Sequence, residues 1–484
     1  RDLSIKPGKL YSSSDEEQSK QKIQSTGLFS YTNLTFSPRD STSLCDTLDA
    51  NMDLVFDKPY DFYIESNAKG KTTGMLGPEF VMGFTKRNAF RGGEKLDINL
   101  HGSYEWQTGG NSGTSADANS YEYGMDASVA FPRLMTARRF INMFQSASHH
   151  IKRRSSKSVQ YYNIPTTTVK ISTNVLNRAS YFKRHVVSGE LTYDWWTSGL
   201  SHHSFSPLAL SYEYMASKSL TFDSLLYTNP YLQISMRDQF VPKMSYTYSY
   251  STSSIQKNPI TWSTTVSEAG NVIAAGYAVA GRSWNEKDKQ MFKNPFAQFV
   301  KLETDFVKQW SIDDQSSFLA HVNAGVICSY GNASQAPYYE QFYIGGANSV
   351  RAFGIRSIGP GKYVPGDGRY SYVDQTGDMK LLTNLEYRPH LFGDLYGALF
   401  LDAGNVWNLH DDDSRPGGKI DADFLKHIAV GTGVGIRYDM GMFVIRVDWG
   451  VGLHVPYDNG KGGFYNVSNF KDSQTLHLAV GYPF

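Results

Sequence analysis

The sequence predicts an all-β protein: a 16-stranded antiparallel transmembrane β-barrel preceded by a partial α/β module. Three observations carry this expectation. Segments of about ten residues alternate apolar and polar side chains along much of the chain, as strands with a single apolar face must. The composition is rich in tyrosine, phenylalanine and glycine (32, 28 and 43 residues) at a mildly polar mean hydropathy of -0.41. No apolar run approaches the roughly 18–20 residues of a membrane helix, so a bilayer would have to be crossed by strands.

The 484 residues allow one large domain or several small ones. Apolar residues make up 40%, too many for a disordered chain, and a net charge of +1 gives no reason to expect nucleic acid as a partner. The two cysteines, Cys45 and Cys328, fall in segments expected on opposite sides of the membrane, and no disulfide is expected between them. No signal peptide precedes Arg1, and the chain starts in mid-pattern, which reads as a mature fragment or a truncated piece.

The first 58 residues differ from the rest. Residues 15–25 read as a helix, capped by Ser13 or Ser14 and closed by Gly27. Residues 31–37 and 47–56 read as two strands. The barrel is assigned to residues 59–484. Its strands are expected to begin near Tyr60, Pro78, Lys95, Ser120, Thr166, Arg184, Ser204, Gln239, Pro259, Gln298, Ser316, Met379, Asp394, His427, Phe443 and Gln474. Charge falls mostly on one face of each. Phe443, Ile445, Val447, Trp449 and Val451 alternate with Val444, Arg446, Asp448 and Gly450. In a soluble sandwich that polar face would be outside; in a barrel it lines the lumen. Asp439-Met440-Gly441 makes a short turn, whereas 405–426 and 454–473 read as long loops. The connection 133–164 carries Arg138, Arg139, Lys152, Arg153 and Arg154. It reads either as an element touching anionic headgroups or as a solvated basic loop.

The last strand should carry Leu476, Leu478, Val480, Tyr482 and Phe484 on one face, with His477, Ala479 and Gly481 on the other. Gly481 and Pro483 interrupt pairing, since proline donates no N–H and glycine permits a kink. The seam between this strand and the first, near 60–68, is therefore expected to be weak.

A long non-strand connection, about 329–378, holds Gly345-Gly346-Ala347-Asn348-Ser349-Val350-Arg351-Ala352-Phe353-Gly354. No Gly-Lys-Ser/Thr follows Gly345-Gly346, so this is not a phosphate loop. Buried guanidinium groups need carboxylate partners with bidentate geometry. Glu386 in Leu385-Glu386-Tyr387 and Asp402 in Leu401-Asp402-Ala403 both take the lumen parity, and Gly431, Gly433 and Gly435 line the next strand. The competing reading is an arginine at a loop tip in water. No hydrolase, nucleotide or redox set stands out, so neither a catalytic residue nor a cofactor is expected. His149-His150 and His202-His203 lack partners at metal-ligand spacing. Asp411-Asp412-Asp413 reads as an acidic loop tip with some capacity for a cation.

The glycine-rich loop with Arg351, the following Gly359-Pro360-Gly361, residues 400–407 and the aromatic-ended last strand together resemble the BamA/TamA family of outer-membrane assembly factors. The resemblance covers essentially the whole chain. It implies a loop folded into the barrel with Arg351 against Glu386 and Asp402, which would pin Val350, Arg351, Phe353 and Gly354 in place. It also implies that residues 1–58 are the C-terminal part of a POTRA domain, with Pro7-Gly8-Lys9-Leu10-Tyr11 among its turns, and that further POTRA domains precede it. The location implied is the bacterial outer membrane, with the POTRA side in the periplasm. The partners implied are the lipid bilayer, unfolded outer-membrane protein clients and accessory subunits. Ala352 stands where the usual motif has glycine. Together with Asn88-Ala89-Phe90-Arg91-Gly92-Gly93-Glu94, it looks more like the TamA-like lipoprotein (TamL) branch, which implies a TamB-like partner and a lipidated N-terminus. The family's mechanism would be insertion of β-barrel clients through the weak seam. Alternative readings are a POTRA-containing two-partner secretion transporter, a porin-like pore, a barrel lipase or protease, and a soluble adhesin.

Overall fold

The computed structural model describes residues 3–40, 46–71, 75–107, 119–136, 164–178, 181–228, 238–252, 256–284, 286–287, 289–291, 294–364, 375–467 and 469–484. The chain falls into two compact units, Arg1–Asp223 and Ser224–Phe484.

In the first unit, helix α1 (Ser13–Ser25) is capped by Ser12, whose side chain accepts from the Asp15 amide. The expected cap was one or two residues later. Asp15 and Glu16 occupy the first turn, where the helix dipole favours negative charge. Gly27 closes the helix with a positive φ of 62°. An antiparallel hairpin follows, β1 (Phe29–Pro38) and β2 (Leu48–Phe56). Next comes a consecutive antiparallel sheet: β3 (Tyr60–Lys71), β4 (Met75–Arg87), β5 (Lys95–Gln107), β6 (Ser120–Phe131), β7 (Thr166–Arg178), β8 (Phe182–Trp196) and β9 (Ser201–Lys218). Along β5, Leu100, Tyr104 and Trp106 are exposed while Ser103 and Glu105 are buried, the inverse of a soluble sheet's faces. The basic residues expected at a headgroup interface, Arg138, Arg139, Lys152, Arg153 and Arg154, lie outside the described residues, as do Cys45 and the His149-His150 pair.

The second unit continues with β10 (Gln239–Ser251), β11 (Ile260–Ala269), β12 (Phe299–Ser311), β13 (Ser317–Ser329), β14 (Met379–Arg388), β15 (Leu395–Trp407), β16 (Ala429–Asp439), β17 (Val444–His454) and β18 (Gln474–Val480). Each pairs antiparallel with the next. Helix α2 (Asn271–Val279) lies between β11 and β12. Among the described residues, β3–β18 make sixteen long strands, and no helix is long and apolar enough to cross a membrane.

Side-chain parity in this unit follows the period of two. Leu399, Leu401, Val434, Ile436, Val447 and Trp449 are exposed. Their alternates Phe400, Asp402, Arg437 and Asp448 are buried. The inner face is covered by the long connection between β13 and β14. Phe342, Ile344, Val350 and Ile358 from this loop meet Phe299, Ile327, Leu382 and Val406 from the strands in one apolar cluster. The loop is thus packed as domain cores are, with its own hydrophobic contribution.

One expected loop, 405–426, is displaced along the chain to 408–428. β15 runs to Trp407, so the loop begins at 408. Gly361 donates to Val406 O at 2.7 Å and Asp378 to Trp407 O at 2.8 Å, which extends the ladder beyond the neighbouring strand. The acidic run is not a bare tip: Asp411 pairs with Lys419 at 2.6 Å and Asp412 with Arg415 at 2.8 Å. Arg415 in turn donates to Thr376 O, tying this loop to the β13–β14 connection.

Candidate functional site: the arginine loop and its acidic wall

The glycine-rich segment closes on itself. Gly346 donates to Phe353 O at 2.8 Å, Phe353 to Val350 O at 3.1 Å, and Arg356 to Ile344 O at 3.1 Å. Gly345 and Gly346 have φ of 99° and 93°, a region open to glycine and costly for other residues. A Cβ at Gly345 would also collide with Gly354 O. The result is a compact turn with Arg351 at its inner apex, fully buried.

Arg351 engages Asp402 in a fork. Nε donates to Oδ2 and Nη2 to Oδ1, both at 2.8 Å, and the Arg351 amide adds a third bond to Oδ2 at 3.0 Å. Nη1 donates to Glu386 Oε2. The guanidinium lies 3.7 Å from the centre of the Phe400 ring. Burial alone works against the charge on Arg351, but Asp402 and Glu386 outweigh it and hold the arginine more firmly protonated than usual. The β14 and β15 register explains the geometry. Asn384 sits opposite Asp402 and donates to it at 2.7 Å and to Ser349 O at 2.8 Å.

Around this pair lies a larger charge cluster. Glu386 also accepts from Arg388 Nε at 2.6 Å and lies 3.4 Å from Arg437. Asp448 sits between Arg437 at 2.6 Å and Arg446 at 3.1 Å. Arg446 reaches back to the loop, to Ala347 O at 2.9 Å and to the Asn348 side chain. Strands β14–β17 therefore grip the loop and its Arg351 with three arginines and three carboxylates, all of them buried.

The wall has no room for side chains where the loop lies on it. A Cβ at Gly431 would overlap the Ala352 methyl. One at Gly450 would lie 2.6 Å from Arg351 O and 2.9 Å from Ala352 Cα. Gly433 makes room for the Phe400 ring beneath the guanidinium. The sequence puts Gly450 on the inward parity of β17 with Arg446 and Asp448, but does not single it out beside Gly431, Gly433 and Gly435 as a point where the loop comes close.

Sequence reasoning also missed two anchors. Buried Glu340 sits between Lys243 at 2.7 Å and Lys301 at 3.2 Å, joining the loop to β10 and β12. Burial pushes its acidity one way, but the two lysines prevail and hold the carboxyl below the usual range. Its contribution is therefore complete above the unfolded pKa near about 4.3 and lost as pH falls through the lower folded value. Glu340→Gln is expected to cost about 1–3 kcal/mol at pH 7 and to flatten the loss of stability on the acid side. Denaturation midpoints from pH 7 to 3 would check this, and parallel curves for both proteins would refute it. The second anchor is the last strand. Thr475 Oγ1 donates to Ala352 O at 3.0 Å, and His477 Nε2 lies 2.9 Å from Arg351 O. Inward alternation in β18 was the available signal, since both residues take that parity.

One expectation needs correction. Leu476, Leu478 and Val480 share an exposed face, but the strand ends at Val480 rather than running to Phe484. Gly481 takes φ 87° and gives its amide to Val444 O at 2.7 Å. β17 begins at Val444, so the ladder has no partner beyond this point. Beyond it Tyr482 is still exposed, but Pro483 is buried and Phe484 stacks on His321 with ring centres 4.9 Å apart.

The Omp85 superfamily domain matches residues 72–470, well over half of the chain. Curated relatives match over shorter stretches. The sorting and assembly machinery component 50 homolog of Xenopus tropicalis is 43% identical over 77 residues, 15% of this chain and 15% of that protein. The human homolog is 31% identical over 118 residues, 23% of this chain and 24% of that protein. These matches thus span less than a quarter of the relatives' length. Among solved structures, BamA from Haemophilus ducreyi lacking POTRA domains 1–3 matches 99% of this chain and 80% of its own, at 13% identity and a TM-score of 0.57. That likeness shows the fold, an antiparallel transmembrane β-barrel. Loop, wall and strands 72–470 together place the chain in one family: it belongs to the Omp85 superfamily.

Proposed function

We propose that the chain is the barrel of an outer-membrane assembly factor, which folds or inserts β-barrel clients beside its last strand. The observation that carries this is the state of β18. It pairs with β17 over only seven residues, and the inner loop holds it through backbone carbonyls at Arg351 and Ala352. A short, braced edge can release and template an incoming strand by β-augmentation. Membership of the Omp85 superfamily, and the similarity to relatives named as sorting and assembly machinery components, support the same reading. No covalent step is needed, so the activity is not enzymatic. Residues 1–58 fit the end of a POTRA domain on the periplasmic side, and a TamA-like role with a TamB-like partner is the finer version of the proposal.

The test is reconstitution. Purified protein in liposomes should speed the insertion of an unfolded eight-stranded barrel client, read as protease protection, relative to empty liposomes. Cysteines placed in Tyr60–Lys71 and Gln474–Val480 and oxidised to join the first and last strands should stop it, and reduction should restore it. Equal insertion with empty liposomes would refute the proposal. Full activity of the oxidised protein would refute the seam mechanism.

A further inference from the structure

A row of polar side chains crosses β12–β15 on their inner face and ends at the arginine loop. The register sets it: Asn323 sits opposite Asp305, His321 opposite Asn384, and Asn384 opposite Asp402. Asp305 Oδ2 accepts from Asn323 Nδ2 and lies against His321 Nε2, both at 2.8 Å. His321 Nδ1 lies 2.8 Å from Asn384 Oδ1. The Asn384 amide donates in turn to Ser349 O on the loop and to Asp402, the carboxylate that takes the Arg351 fork. His321 is 5% exposed and Asn384 1%, so these bonds are made where water is largely excluded.

The row dictates what each atom must be. Ser349 O and the Asp402 carboxylate are acceptors, so the Asn384 group facing both is its NH2, and the atom facing His321 is its oxygen. The Asp305 carboxylate on the other side of the ring is an acceptor as well. Both ring nitrogens of His321 therefore face acceptors at hydrogen-bond distance. A neutral imidazole donates through one nitrogen only. The tautomer that serves Asp305 would set the Nδ1 lone pair against Asn384 Oδ1. Turning the Asn384 amide over would relieve that repulsion, and would break both of its other bonds at once. The tautomer that serves Asn384 would set the Nε2 lone pair against a carboxylate. The imidazolium meets neither conflict, and Asp305 balances its charge, as a buried cation requires.

We propose that His321 is held as an imidazolium and is a positioning residue of the arginine loop, acting through the Asn384 amide. Charge on the ring locks that amide with its NH2 toward Ser349 and Asp402; a neutral ring releases it. Asp305, three strands away from Asp402, is thereby tied to the seat of Arg351. The inference concerns how the loop is seated and does not rest on the insertion of clients.

Two measurements on the purified full chain in detergent test this. The first is nitrogen NMR at pH 7 with isotope-labelled histidine. The ring signals absent from His321→Phe belong to His321, and both of its nitrogens should resonate as protonated. In Asp305→Asn one of them should move to the unprotonated range, a shift that identifies His321 even if His321→Phe fails to fold. The second is hydrogen exchange at the Arg351 amide, which donates to Asp402. Asp305→Asn and His321→Phe should each speed it about tenfold, the weight of one charge-assisted hydrogen bond. Amides of the β10–β11 pairing should exchange as in the wild type. Asn384→Ala should speed the Arg351 amide similarly, and adding His321→Phe to it should have little further effect. An unprotonated ring nitrogen on His321 in the wild type would overturn the proposal. So would unchanged exchange at Arg351 in both Asp305→Asn and His321→Phe, additive effects of His321→Phe and Asn384→Ala, or equal acceleration in the β10–β11 amides, which would mark a merely structural role.

Discussion

Replacing Arg351 with alanine is expected to lower stability by about 3–5 kcal/mol, the usual cost of breaking a buried pair. Insertion activity should be lost with it, because the loop that braces β18 loses its main anchor. The cost comes from what remains. Asp402 would keep Asn384 at 2.7 Å, but would lose the fork that the guanidinium supplies. Glu386 would fare better, since Arg388 at 2.6 Å and Arg437 at 3.4 Å still face it. Adding Asp402→Asn to Arg351→Ala should therefore recover more stability than adding Glu386→Gln. Arg351→Lys should fall between wild type and alanine, keeping the charge but losing the planar fork. Heat-modified mobility on cold detergent gels and urea midpoints would measure all of these. Wild-type stability and activity in Arg351→Ala would rule out the pinning role.

The second large effect concerns the wall. Gly431→Ala should cost about 1–3 kcal/mol by overpacking, because its new methyl meets the Ala352 methyl. The loop is one methyl larger here than in the usual motif, so Ala352→Gly should largely rescue Gly431→Ala. Gly450→Ala should be as damaging or worse, and Ala352→Gly should not rescue it. There the new atom meets Arg351 O and the Ala352 backbone rather than a removable side chain. A double-mutant cycle on unfolding midpoints separates the two cases. If Ala352→Gly rescued both substitutions equally, or neither, the proposed contact would be refuted.

Much of the sheet was legible because alternation is a local signal. The apolar face of β14–β17 meets a different medium from the charged face, so period two survives in the sequence. Starts at Tyr60, Lys95, Ser120, Thr166, Gln239, Met379 and Gln474 coincide with the observed ones. Arg351, Glu386 and Asp402 were legible for a different reason: parity put both carboxylates on the inward face, and the family resemblance implied the loop arginine against them. What stayed hidden depends on tertiary placement. Glu340 meets Lys243 and Lys301, 97 and 39 positions away, with no spacing to announce it. The close approach at Gly450 depends on where the loop descends. Gly481 reads as a kink that interrupts pairing, yet the expected face of the strand carries on to Phe484, because alternation of side-chain types continues in the sequence after the backbone has left the ladder.

The two contacts between β18 and the loop divide that strand mechanically. Under a pull across the sheet, a strand peels rung by rung from a free end. Thr475 and His477 fasten the Gln474 half to the loop, while Leu478–Val480 pairs with β17 and makes no hydrogen bond to the loop among the described residues. Once Gly481 has left Val444 and Phe484 has left His321, peeling should therefore run from Val480 and stall at His477, giving a hinged flap of three residues. Full detachment would require the arginine loop itself to shift, so the strength of the buried charge cluster would set the force at which the strand lets go.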